Sequence, residues 1–217
     1  MRPINIVLDL YSAAVCLILV CYLRFGGGRN DKMRQFFIWM CAINLGMAVG
    51  DIPNWAFEGL ARSWYPAVLW SGSLLFWICS SLMPLAFTYY LVEYLAPRAR
   101  VHRFFRRGAS VLCAAAVLGS VLSVWNGMFF TVTQENVYQR GDWFWLSQIL
   151  PFLMYALDVA IFAAYRRSLN RKDFRILSSY IILPLAAEVV QMLNYGVALL
   201  NTGVALGLLI IFINIQS

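Results

Sequence analysis

Seven long apolar runs, each parted from the next by a short polar or charged segment, dominate this sequence. Hydrocarbon offers no water to satisfy backbone amides, so a segment that crosses it must be a helix, and about 20 residues are needed for one crossing. The runs predict spans at 4–23, 36–57, 65–95, 109–125, 143–165, 176–200 and 202–216. What remains is short connections, too little for a separate soluble domain. The expected fold is an all-α membrane protein, a single seven-helix transmembrane domain over 1–217 with its longest outer loop at 126–142.

Only 12% of the residues are charged, about half the share in an ordinary soluble domain. Their placement fixes an orientation, because cytoplasmic loops carry the excess of Lys and Arg. The connection after the first span holds Arg24, Arg29, Lys32 and Arg34, that after the third holds Arg98, Arg100, Arg103, Arg106 and Arg107, and that after the fifth holds Arg166, Arg167, Arg171, Lys172 and Arg175. Only Arg2, Arg62 and Arg140 fall on the other side. The N-terminus is thus expected outside and the C-terminus in the cytoplasm. The net charge of +7 then reflects topology and contact with anionic lipid, not nucleic acid. The first span lacks the preceding positive charge of a signal peptide and is interrupted by Asp9, so it is expected to be retained.

Several chemistries lack their residues. The five cysteines, Cys16, Cys21, Cys41, Cys79 and Cys113, all fall inside predicted spans, and the only histidine is His102 in a basic loop. Neither a metal site nor any other cofactor is expected from this set. A retinal protein needs an intramembrane lysine, whereas Lys32 and Lys172 lie in loops. The Gly26-Gly27-Gly28 run has no Lys-Ser/Thr ending to hold a phosphate, and no catalytic set is visible, so the chain is not expected to be an enzyme.

The outer loop, NGMFFTVTQENVYQRGD, alternates apolar residues with threonines. Period two predicts a short strand or hairpin with Glu135 and Asn136 at the turn. Such a hairpin has two readings, a solvated loop whose aromatics dip into headgroups or a lid over the outer mouth of the bundle. The segments 29–55 and 170–195 both begin basic and end in Asn plus an aromatic, a weak repeat that a three-plus-one-plus-three arrangement would produce.

Ionisable groups inside a bilayer are costly and need a partner or a task. Asp51 lies about 22 Å above the cytoplasmic start of its span, in the outer third. Glu188 falls near the midplane, Asp158 at or below it, Asp9 near the outer surface, and Glu93 near the inner one where an arginine can neutralise it. Spacing groups further residues with these. Glu188, Gln191 and Tyr195, with Asn194 beside them, share a helical face, as do Asp51, Asn54 and Trp55, and Tyr155 with Asp158. Polar stripes on several helices turn to the bundle interior, either to hydrogen-bond helix to helix or to line an outward-opening acidic pocket. The candidate ligand-binding residues are Asp51, Asn54, Trp55, Asp158, Glu188, Gln191, Asn194 and Tyr195. Six of the eight tryptophans, Trp55, Trp64, Trp70, Trp125, Trp143 and Trp145, fall toward the outer ends of spans. They serve as interfacial anchors or as cavity walls suited to a cationic or aromatic ligand.

The stretch Phe129-Phe130-Thr131-Val132, followed by Asn136-Val137-Tyr138-Gln139-Arg140-Gly141, resembles the loop between the fourth and fifth spans in the N-terminal seven-helix modules of bacterial signalling proteins. Those modules precede diguanylate cyclase (GGDEF) or histidine-kinase domains. Pro184, Gln191 and the terminal Ile211-Phe212-Ile213-Asn214-Ile215-Gln216 extend the resemblance, which implies a sensor in the bacterial inner membrane, with a cytoplasmic effector after the last span and a second copy of the chain as partner. The last span is short and has no basic anchor behind it, which also leads to the expectation that the natural chain continues into such an effector.

The function expected from these features is signal transduction. A small molecule binds from outside or from the membrane and shifts spans six and seven, with Pro84, Pro151 and Pro184 as places to bend. The alternative is a small secondary transporter of the three-plus-one-plus-three plan. A third possibility is a structural subunit of a larger membrane complex.

Overall fold

The computed structural model describes residues 2–25, 32–97, 100–194 and 196–216. Arg29, Arg98, Tyr195 and the triple glycine lie outside the described residues. Seven helices make up the bundle: α1 (Arg2–Phe25), α2 (Lys32–Phe57), α3 (Tyr65–Leu95), α4 (Arg103–Asn126), α5 (Phe144–Tyr165), α6 (Arg171–Leu193) and α7 (Leu200–Ile211). Between α4 and α5 stand two short antiparallel strands, β1 (Phe130–Val132) and β2 (Tyr138–Arg140), with Thr131 opposite Gln139. Six of the helices, α1 to α6, are long and apolar enough to cross a bilayer. The seventh is a 12-residue α-helix continued by a five-residue π-helical segment, Phe212–Gln216.

Helix α1 shows the membrane character most directly, since its polarity is inverted relative to a helix of a soluble protein. It buries Asn5, Asp9 and Ser12 and turns Val7 and Ile18 outward, each more than 60% exposed. A soluble protein would do the reverse. In hydrocarbon the polar groups must find one another instead. Asn5 Nδ2 donates to the Gly196 carbonyl at 2.9 Å while its Oδ1 accepts from Ala198 N, Asn201 Nδ2 donates to Asp9 Oδ1 at 2.6 Å, and the Ser12 and Thr202 hydroxyls meet at 3.2 Å. These bonds join α1 to the start of α7 and close the bundle, first helix to last.

Helix α2 packs against α3 over the largest interface, and two glycines allow it. A Cβ on Gly50 would lie 2.6 Å from the Gly72 carbonyl oxygen, and one on Gly72 would lie 2.6 Å from that of Gly50. Small residues let two backbones approach this closely, and the approach sets Asn54 Nδ2 against Ser73 Oγ at 3.2 Å. Deeper in the bundle Phe87, Tyr90, Tyr180 and Leu208 fill a close-packed centre. The helices run on through Pro53, Pro84, Pro151 and Pro184.

Some boundaries differ from the sequence reading. α6 ends at Leu193 rather than at 200, because Asn194 turns to an extended backbone and Gly196 takes φ +88°. α7 accordingly begins at Leu200, not 202, after a linker whose described residues are Asn194 and 196–199. α4 starts at Arg103 instead of 109, its basic first turns capped by His102, whose Nδ1 accepts from Phe104 N at 3.1 Å. Asp9 is fully buried among the helices, where its carboxylate accepts from Asn201. Glu93 does meet an arginine, Arg106, at 3.4 Å.

Candidate functional site

A cavity of about 130 Å³ opens at the hairpin end of the bundle. Its walls come from the last turns of α2 (Asp51, Asn54, Trp55) and Glu58 just after it, the facing turns of α3 (Ser73, Phe76, Trp77, Ser80), the start of α5 (Phe144, Gln148), the end of α6 (Glu188, Gln191, Met192), and the linker into α7 (Gly196, Val197) with the first residue of that helix, Leu200. Tyr138 and Arg140 of β2 complete it. Segments far apart in sequence thus converge on one volume.

The hairpin is a fixed cover. Phe129 and Phe130 are buried against Trp77 and Phe144, and Ser123 Oγ accepts from the amides of both, at 2.8 and 3.0 Å. Gly119 makes room for this packing, since a Cβ there would lie 2.6 Å from the Phe129 ring. At the turn, Asn136 adopts φ +60°, and its Nδ2 donates to the Phe57 carbonyl at 2.9 Å while its own carbonyl accepts from Gly59 N at 2.7 Å. On the opposite side Arg140 donates to the carbonyls of Met192 and Gln191, at 3.0 and 2.9 Å. That is the favourable end of a helix for a cation. Of the two sequence readings of this loop, the cover describes the observed packing, because the phenylalanines point into protein.

Gln191 performs a second capping task. α7 has no side-chain cap of its own at Leu199. Gln191 Oε1 instead accepts from the amides of Leu199 and Leu200, at 3.1 and 3.2 Å. Orphan amides of a helix start are therefore satisfied by the helix before it, through a residue that also lines the cavity. Asp51 makes a further link, since its carboxyl group faces that of Asp9, which in turn holds Asn201 of α7.

Five sequence candidates, Asp51, Asn54, Trp55, Glu188 and Gln191, share the cavity. Asp158 does not. It is buried between α5 and α3 and accepts from Thr88 Oγ1 at 2.7 Å, because the face of α5 that carries it turns to α3 below the cavity. Asn194 is exposed and its Nδ2 donates back to the Val190 carbonyl, since the helix has ended and the stripe no longer applies. Tyr195 lies outside the described residues. Sequence reasoning missed Glu58, Tyr138 and Arg140. Arg140 carried a signal, being one of only three basic residues outside the basic loops. Trp64, Trp125, Trp143 and Trp145 are exposed, as anchors would be, while Trp55 and Trp77 wall the cavity.

Comparisons of the chain with protein-family models, with curated proteins and with solved structures find no match.

Proposed function

We propose that this chain is the seven-span sensory module of a bacterial signalling protein, with its N-terminus outside and its C-terminus in the cytoplasm of the inner membrane. A small molecule occupies the cavity beneath the hairpin, and α6 and α7 relay its presence to a cytoplasmic effector, a diguanylate cyclase or a histidine kinase that works as a dimer. The helical stretch from Leu200 to Gln216 serves as the seventh span, at the short end of the usual range. The resemblance of the hairpin sequence to the corresponding loop of such modules supports the class.

The observation that carries the reading is the position of Gln191. One side chain lines the cavity and holds the first amides of the last helix. An occupant that competes for Gln191 changes the hold on α7, and it can shift that balance only as far as it prefers one arrangement over the other. The test is a fusion of this chain to a diguanylate cyclase, with cyclic dinucleotide output measured as candidate ligands are added. A response abolished by Gln191→Ala supports the relay, whereas an unaltered response in that variant refutes it. Accumulation of a cavity ligand inside proteoliposomes would instead assign the chain to the transporters.

A further inference from the structure

Among the described residues, Glu188 is a carboxylate of the cavity with no cationic counterpart. Glu58 faces Arg2 at 3.5 Å and accepts from Tyr138 N, and Asp51 faces Asp9. Glu188 is only 8% exposed, yet among the described residues it has neither a hydrogen bond nor an ion pair. The one cation among the described lining residues, Arg140, donates to the two carbonyls ending α6 and lies 4.4 Å over the Phe144 ring. A carboxylate in such a site without a partner is costly, and the cost is relieved by uptake of a proton or by a positive partner. Around it the wall is aromatic, with Trp55, Phe76, Trp77 and Phe144, and ring faces attract cations. The volume sets the size. A cavity of about 150 Å³ holds benzene, so about 130 Å³ suits an occupant of roughly six non-hydrogen atoms.

Resting on the sensory reading of this cavity, the geometry points to a small ammonium ion as its ligand. The charged nitrogen donates to Glu188 and the apolar body lies against Trp77 and Phe144. The same chemistry is found in a free amine and in the ethanolamine headgroup of a phospholipid.

The experiment uses the full chain in phosphatidylcholine nanodiscs and two probes of equal size, cyclopentylammonium and neutral cyclopentanol, with binding read from tryptophan fluorescence. At least tenfold tighter binding of the ammonium is expected, and Glu188→Gln is expected to remove that preference. Competition when phosphatidylethanolamine replaces phosphatidylcholine assigns the site to the headgroup, and unchanged binding assigns it to the free amine. Equal affinity for the two probes overturns the proposal, a result that needs no variant to fold. So does an unchanged preference in a folded Glu188→Gln protein. Loss of ammonium preference with an intact fusion response to some other ligand leaves the sensory reading standing. Ammonium binding without any change in effector output overturns the sensory reading alone.

Discussion

Asp9 and Asp51 face each other across α1 and α2, yet the two are not equivalent. Asp9 accepts from Asn201 inside the closed bundle, whereas Asp51 borders the cavity. Asp9→Ala strands the Asn201 amide in a dry interior, a loss of about 1–3 kcal/mol; the average for interhelical hydrogen bonds in membranes, about 0.6 kcal/mol, sets the lower expectation. The thermal midpoint of the purified protein should fall. Asp51→Asn keeps the volume and gives Asp9 an amide donor in place of a second carboxyl, so its midpoint should hold or rise. A midpoint that drops equally in both variants would contradict this division of roles. At this scale much of the site was legible. Asp51, Asn54 and Trp55 on one helix, and Glu188 and Gln191 on another, stand at spacings that share a face, and a polar face must turn inward in a bilayer. Asp158 obeys the same rule and still lies elsewhere, because spacing tells which residues of one helix travel together but not how far that helix is rotated against its neighbours.

Among the elements, the α2–α3 contact and the α6–α7 linker matter most to the cavity. The two helices meet at Gly50 and Gly72, where any side chain would strike the opposing carbonyl. Gly72→Val should therefore force them apart, lowering the thermal midpoint and weakening ligand binding at least tenfold, because Asn54 and Ser73 are separated by the same movement. Gly196→Ala, at a position with φ +88° and open space around it, strains only the linker backbone. Because Gly196 also borders the cavity, the substitution is expected to lower affinity modestly and to alter output in the effector fusion more, and equal damage to both readouts would argue against a linker role. The helices themselves were readable from apolar length, and the hairpin from its alternation. The ends of α4 and α6 were not, because hydropathy neither sees that basic turns can continue a helix nor registers the backbone change at Asn194. The contribution of β2 to the cavity was invisible for a different reason: Tyr138 and Arg140 reach the site only through the tertiary fold, where Phe129 and Phe130 dock beneath them.

For the molecule as a whole, the proposed orientation makes a direct prediction. In a background with Cys21→Ser, a cysteine at Glu135 in the hairpin turn should react in intact cells with a membrane-impermeant maleimide. One at Ser168, which lies between the Arg166-Arg167 pair after α5 and the basic start of α6, should react only after permeabilisation. The reverse pattern would invert the topology and with it the side from which the cavity is reached. The bundle is also closed by polar bonds between its first helix and its last. α1 thus holds the start of the helix that leads toward the proposed effector, although it lies at the opposite end of the chain.

The attachments of the hairpin bear on how such a molecule could move. Asn136 ties it to the end of α2, Arg140 ties it to the end of α6, and its two phenylalanines are keyed into α3 and α5. In mechanical terms it is a strut, holding two walls of the cavity at a set separation. A load placed inside cannot be relieved by spreading those walls, so it bears instead on the side-chain bonds that hold the entry into α7, from Asn5 to Gly196 and Ala198 and from Gln191 to Leu199.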